Sequence, residues 1–245
     1  MTELFIKVFQ AWDRGEHIRE WDMLQHLHRH LPDLVPRPVS ASLDAVPPTV
    51  TMTVLPGTPL SGPLSPAQAD ALVAAITRLW TVPCDEPWND GDLAFARRLT
   101  DGQRPSAGVT AEAYDAALAW WDGPDPVLLS TEPSRVVLGH GDPYLANYLW
   151  DGTIVRLVDF EDARPSDPAA EVAILAEHLS TRDSPTLPTL FDVDPVRLLA
   201  ARRLWAMFWL RRLLPGGPSA DRNPPGTADL QARRLLHLLT ATATA

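Results

Sequence analysis

Three side chains in one short stretch could share a reaction. From Val136 to Asp162 the sequence reads VVLGHGDPYLANYLWDGTIVRLVDFED, and Asp142, Asn147 and Asp159 stand within it. A carboxylate can orient and deprotonate an attacking hydroxyl, while an amide oxygen and a second carboxylate hold magnesium across a pair of phosphates. Phosphoryl transfer from a nucleotide needs such a set. Hard oxygen donors suit magnesium, and no Cys/His cluster lies among them to favour a softer metal. Taken singly, each is also an ordinary turn or cap residue. The weight rests on the combination.

The elements around them must bring them together. The pattern predicts a strand over 136–138, a polar loop over 139–147, a strand over 148–150, an Asp151-Gly152 turn and a strand over 154–160. Asp-Gly between two apolar runs is a strong hairpin signal. Pairing through that turn sets Asn147 at one end of the hairpin beside Asp159 at the other, with Asp142 in the preceding loop. His140 is read as bracing that loop rather than carrying protons.

The spacing Asp-x-x-x-x-Asn followed by Asp-Phe on a later strand end is that of a kinase catalytic loop and its metal-binding segment. Here these are Asp142, Asn147 and Asp159-Phe160, with His140-Gly141-Asp142 where protein kinases carry His-Arg-Asp. The stretch resembles the aminoglycoside phosphotransferase and choline kinase family, small-molecule kinases that share a protein-kinase-like fold. The resemblance implies an α+β, two-lobed architecture: a reduced N-terminal sheet lobe over 1–55, a hinge over 56–62 and a mostly helical lobe over 63–245. It implies ATP or GTP as donor, Mg2+ as cofactor and a small-molecule hydroxyl as acceptor. Asp142 would be the base, and Asn147 and Asp159 the metal ligands. Leu55 would contact the adenine through the hinge backbone.

Upstream, Lys7 is the only lysine of the chain and lies on an apolar, β-prone run. Glu20 follows on a helix read over 16–31. A strand lysine paired with a helix glutamate positions the lysine on the α- and β-phosphates in protein kinases, and Lys7 and Glu20 look like that pair. In the resembled family two strands joined by a Gly-rich loop precede the lysine strand, yet only six residues precede Lys7. The expectation is a truncated sheet whose exposed edge could pair with another chain. A non-catalytic nucleotide-binding pseudokinase or scaffold is the rival reading. A serine hydrolase lacks its Gly-x-Ser-x-Gly motif.

Composition narrows the class. The 245 residues carry 45% hydrophobic and 21% charged residues, enough for a sizeable core. A net charge of -10 disfavours nucleic acid as a partner. Together with Glu161, Asp162, Asp167 and Glu171 near the motif, it points to a cationic acceptor such as an aminoglycoside. A solvated acidic face would explain those residues equally well. One cysteine, no apolar run of membrane-spanning length and no visible signal segment fit a cytoplasmic protein.

The remaining pattern is helical. Periodicity predicts helices over 66–81, 93–99, 110–121, 194–214 and 228–239. Asp167 before Pro168 reads as a helix N-cap. On 194–214 a row including Trp205, Phe208, Trp209 and Arg212 is read as facing the core.

Overall fold

The computed structural model describes residues 3–84, 86–100 and 104–243, apart from the side chains of residues 92 and 98–100. Strands β1 (Leu4–Val8), β2 (Pro38–Ser42) and β3 (Thr49–Thr53) form an antiparallel sheet ordered β1-β3-β2, in which Lys7 lies opposite Val50. As the outer strand, β1 leaves Leu4, Phe5, Ile6 and Val8 exposed. Helix α1 (Glu16–His30) connects β1 to β2 and starts after Gly15, whose φ of 78° is easy only for glycine. Its buried face carries Glu20, Leu24 and Leu27.

The segment read as a hinge contains a two-residue strand, β4 (Thr58–Pro59). It pairs with β6 (Tyr148–Trp150), which pairs in turn with β7 (Val155–Leu157). The predicted hairpin is present with a shifted turn. Trp150 pairs with Val155, and the Asp151 amide donates to the Ile154 carbonyl at 3.3 Å, so Gly152 and Thr153 are the central residues. Asp151 precedes them because its Oδ1 accepts from both the Thr153 and Ile154 amides at 2.9 Å. The second strand stops at Leu157, short of the predicted 160, because Asp159 turns the chain to φ 71°. A further small sheet joins β5 (Val137–Gly139) to β8 (Arg164–Ser166). The Arg-Pro-Ser sequence of β8 has no alternation to announce it.

The helices are α2 (Pro66–Leu79), α3 (Gly91–Thr100), α4 (Val109–Trp120), α5 (Pro124–Ser130), α6 (Pro168–Glu177), α7 (Pro195–Leu213) and α8 (Thr227–Thr240). Three begin alike: Ser65, Asp167 and Asp194 accept first-turn amides and a proline follows each. Proline is tolerated there because the first helical amides have no intrahelical acceptor. No described helix is long and apolar enough to cross a membrane.

The core falls into two clusters. One joins Leu24 and Leu27 of α1, Val50 and Met52 of β3, Leu72 and Leu79 of α2, and Tyr148, Leu157 and Phe160 around the hairpin. The other joins α4, α7 and α8 through residues such as Ala117, Leu204, Leu210 and Leu235. Helix α6 belongs to both, giving Val172 and Leu175 to the first and Ala173 and Ile174 to the second. Its N-terminus therefore sits at a rigid junction, directly behind the polar loop 139–147.

Candidate functional site

The loop between β5 and β6 is fastened almost group by group. Asp142 Oδ1 accepts the Tyr144 amide at 3.1 Å, and Oδ2 accepts Asn147 Nδ2 at 2.9 Å. Asn147 is held in turn by a hydrogen bond from its amide to the Tyr144 carbonyl and one from the Val158 amide to its own carbonyl. His140 is buried, packs on Tyr148 and Phe160, and reaches the Val158 carbonyl with Nε2 at 3.0 Å. Its Nδ1 accepts the Asp142 amide at 3.4 Å. Both ring nitrogens are thus occupied by backbone, which suits a brace. Glu171 of α6 accepts the His140 amide at 2.9 Å.

Glycine is required at the centre of this loop. Gly141 has φ 78°, and a Cβ there would lie 2.2 Å from the Asp162 carbonyl oxygen. No side chain fits between the loop and the segment after Asp159.

Lys7 meets three carboxylates. Its Nζ is bonded to Asp159, lies 2.8 Å from Glu161 and 3.4 Å from Glu20. Asp159 stands 152 positions away in sequence. Glu20 is fully buried, and its Oε2 accepts the Phe160 amide at 2.7 Å. Burial pushes the Glu20 carboxyl up to about 7, with Lys7 opposing and Asp159 adding to the rise. For Lys7 burial works downward, but Glu20 and Asp159 outweigh it and raise the ammonium above its ordinary value.

The structure therefore brings Lys7, Glu20 and Asp159 into contact, and Asp142 into contact with Asn147. The hairpin joins the two groups, since Val158 pairs with Asn147 and Asp159 follows it. Leu55 is half-buried in the segment between β3 and β4. Glu161, counted in the sequence only as surface acidity, is a direct partner of Lys7. Asp167 caps α6 and pairs with Arg197 at 2.7 Å, both nearly buried. Three of the four acidic residues that suggested a cationic acceptor are thus engaged internally, leaving Asp162.

The donor set fits a hard divalent cation. Glu20, Asp159 and Glu161 each offer a carboxylate oxygen within 4.8 Å of the others. With Asn147 Nδ2 spent on Asp142, its amide oxygen is the end left to serve as a ligand.

A cavity of about 570 Å³ opens beside Asp142. Gly141, Asp142 and Pro143 line one side, and Trp205, Phe208, Trp209 and Arg212 of α7 another. The row on α7 faces this cavity as well as the core. Its spacing of three, one and three residues marks one helical face, but periodicity alone does not tell a core from a cavity wall.

Residues 7–205 match the family described as the phosphotransferase enzyme family. No curated protein sequence matches the chain. Among solved structures, a choline/ethanolamine kinase family protein from Mesorhizobium loti superposes with a TM-score of 0.68 at 15% identity, covering 98% of this chain and 83% of that one. Choline kinase LicA from Streptococcus pneumoniae gives 0.64 at 12% identity over 98% and 87% of the two chains. An aminoglycoside phosphotransferase from Streptomyces rimosus, in complex with ADP and streptomycin, gives 0.59 at 16% identity over 84% and 85%. These likenesses establish the protein-kinase-like α+β fold.

Proposed function

The chain belongs to the phosphotransferase enzyme family, and from that premise we propose that it transfers the γ-phosphoryl group of ATP to a hydroxyl of a small molecule. The observation that carries this reading is the contact of Lys7 with both Glu20 and Asp159, which the hairpin joins to the Asp142–Asn147 pair through Val158 and Asn147.

Each residue takes a role its contacts allow. Asp142 has one lone pair on each oxygen committed to the loop, which leaves the carboxylate oriented toward the cavity to accept the hydroxyl proton. The acceptor oxygen forms the new bond to the γ-phosphorus, its proton passes to Asp142, and the electron pair of the broken P–O bond leaves with ADP. Lys7 exchanges its contacts with Asp159 and Glu161 for the α- and β-phosphates, while Glu20 keeps it directed at them. Asp159 and Asn147 would hold magnesium, which when bound neutralises phosphate charge. Leu55 offers its backbone to the adenine. Support for the nucleotide comes from the fold shared with the ADP-bound phosphotransferase.

Calorimetry of ATP with and without magnesium, on the wild type and Asp159→Ala, tests the nucleotide site. Magnesium-dependent binding that the substitution abolishes is the expected result; absence of binding to the wild type overturns it. Binding without transfer to any acceptor, in a screen across hydroxy acids, amino alcohols and aminoglycosides, would turn the reading to a non-catalytic nucleotide binder.

A further inference from the structure

The wall of the cavity opposite Asp142 has chemistry of its own. On α7, Trp205, Phe208, Trp209 and Arg212 share one face and end in a half-buried guanidinium. Four other arginines of the helical lobe are matched: Arg197 with Asp167, Arg202 and Arg234 with Glu177, and Arg203 with Asp125. Among the described residues Arg212 has no carboxylate partner. Its Nε donates to Ser219 Oγ at 3.2 Å, and its guanidinium lies 5.4 and 5.6 Å from the ring centres of Phe208 and Trp209. Burial, reinforced by the charge of Arg222, pulls its pKa down. A partly desolvated cation that rests on aromatic rings and one hydroxyl, with no carboxylate partner, is suited to bind an anion.

His178 packs on the same Trp209, with ring centres 5.0 Å apart. Its tautomer is fixed by its neighbours. The Ser180 amide donates to Nδ1 at 3.2 Å. Ser180 Oγ lies 2.7 Å from Nδ1 and itself accepts the Leu145 amide, so its hydroxyl hydrogen is directed at Nδ1 as well. Burial holds the imidazole pKa down at about 4, with Asp142 opposing and Arg182 and Arg212 adding. The neutral ring therefore carries its hydrogen on Nε2, and that N–H has no partner among the described residues.

We propose that the acceptor is a hydroxy acid with an apolar body, its carboxylate held by Arg212 and the His178 Nε2–H on Trp209 while its hydroxyl reaches Asp142. This deepens the phosphotransferase reading and rests on it. Trp205 and Phe208 would contact the body, and a bidentate guanidinium suits a planar carboxylate. Among the described residues, the acids at the cavity besides Asp142 and the paired Asp167 are Asp90 and Asp162, outside α7. A polycation would instead set its charge against Arg212 and Arg222.

Ligand-observed NMR titrations of the full chain test this with 4-(hydroxymethyl)benzoate, its methyl ester and 4-(hydroxymethyl)benzylamine. The carboxylate should bind about tenfold tighter than the ester. Arg212→Gln should erase that preference without shifting the thermal midpoint, Arg212→Lys should restore part of it, and His178→Phe should weaken the carboxylate several-fold. Equal or tighter binding of the ester or amine, no carboxylate binding, or an unchanged preference in Arg212→Gln overturns the proposal. Magnesium-dependent ATP binding, measured in parallel on the same samples, reports on the phosphotransferase reading separately.

Discussion

The two halves of the candidate site solve the placement of charge in opposite ways. On the Asp142 side the working groups are fixed by backbone: Asp142 by the Tyr144 amide, His140 by Val158 and Asn147 by Tyr144 and Val158. On the Lys7 side the groups are fixed by one another, an ammonium among three carboxylates on a sheet whose outer strand is exposed. Backbone anchors do not respond to a ligand, whereas an ion cluster can trade one partner for another. The Asp142 side is thus preorganised, and the Lys7 side is an arrangement that, under the proposed function, phosphates and a cation would have to replace.

Substitutions on the two sides should therefore separate chemistry from binding. The largest effect belongs to Asp142→Asn. It removes the proposed proton acceptor while nearly preserving the side chain's shape, although one of the two accepting oxygens becomes a donor, so kcat should fall by about 10²- to 10⁴-fold with nucleotide affinity reduced far less. Full activity would break the assignment of the base. Asp159→Ala should act in the reverse manner and lower magnesium-dependent ATP affinity by at least about tenfold, read by calorimetry.

Gly141→Ala probes the preorganised side without touching a charge. Its Cβ would press on the Asp162 carbonyl in a left-handed backbone, and a loss of about 1–3 kcal/mol in urea unfolding is expected. An unchanged midpoint would mean that the loop is softer than its hydrogen bonds imply.

The smallest effect is a pH dependence on the Lys7 side. The Glu20 carboxyl is raised to about 7 in the folded protein, above its ordinary value of 4.5. Its contribution to stability is therefore fully present below that ordinary value and is lost as pH rises through about 7. Lys7, raised from 10.5, changes its contribution only at alkaline pH. Between pH 5 and pH 8 the wild type should lose stability relative to Glu20→Gln, measured as the difference in urea midpoints. A constant difference would show that Glu20 stays ionised throughout.

How much could be read in advance varies with how local the signal is. Asp142, Asn147 and Asp159-Phe160 lie in one contiguous unit, so their spacing carried both the chemistry and the hairpin that joins them. Asp167 before Pro168 marked a helix start because capping is a matter of adjacent residues, and the same cap-and-proline pairing opens the helices after Ser65 and Asp194. The end of the second hairpin strand was misplaced, since Val158 and Phe160 continue an apolar pattern while the backbone at Asp159 leaves the strand. Strands β4 and β8 were invisible because each exists only through its partner.

The sequence by itself determined the spacing of Asp142, Asn147 and Asp159, the Asp167 cap and the family, all of which depend on short spacings that any fold must respect. Tertiary structure alone decided what the other charges do. Glu161 and Glu171 look alike as acidic residues near a motif, yet one holds Lys7 and the other the His140 amide. Arg197 and Arg212 lie on one helix and line one cavity, yet Asp167 neutralises the first, while among the described residues no carboxylate pairs with the second. A charge is defined by its partners, and those partners are brought up by packing between segments far apart in the chain.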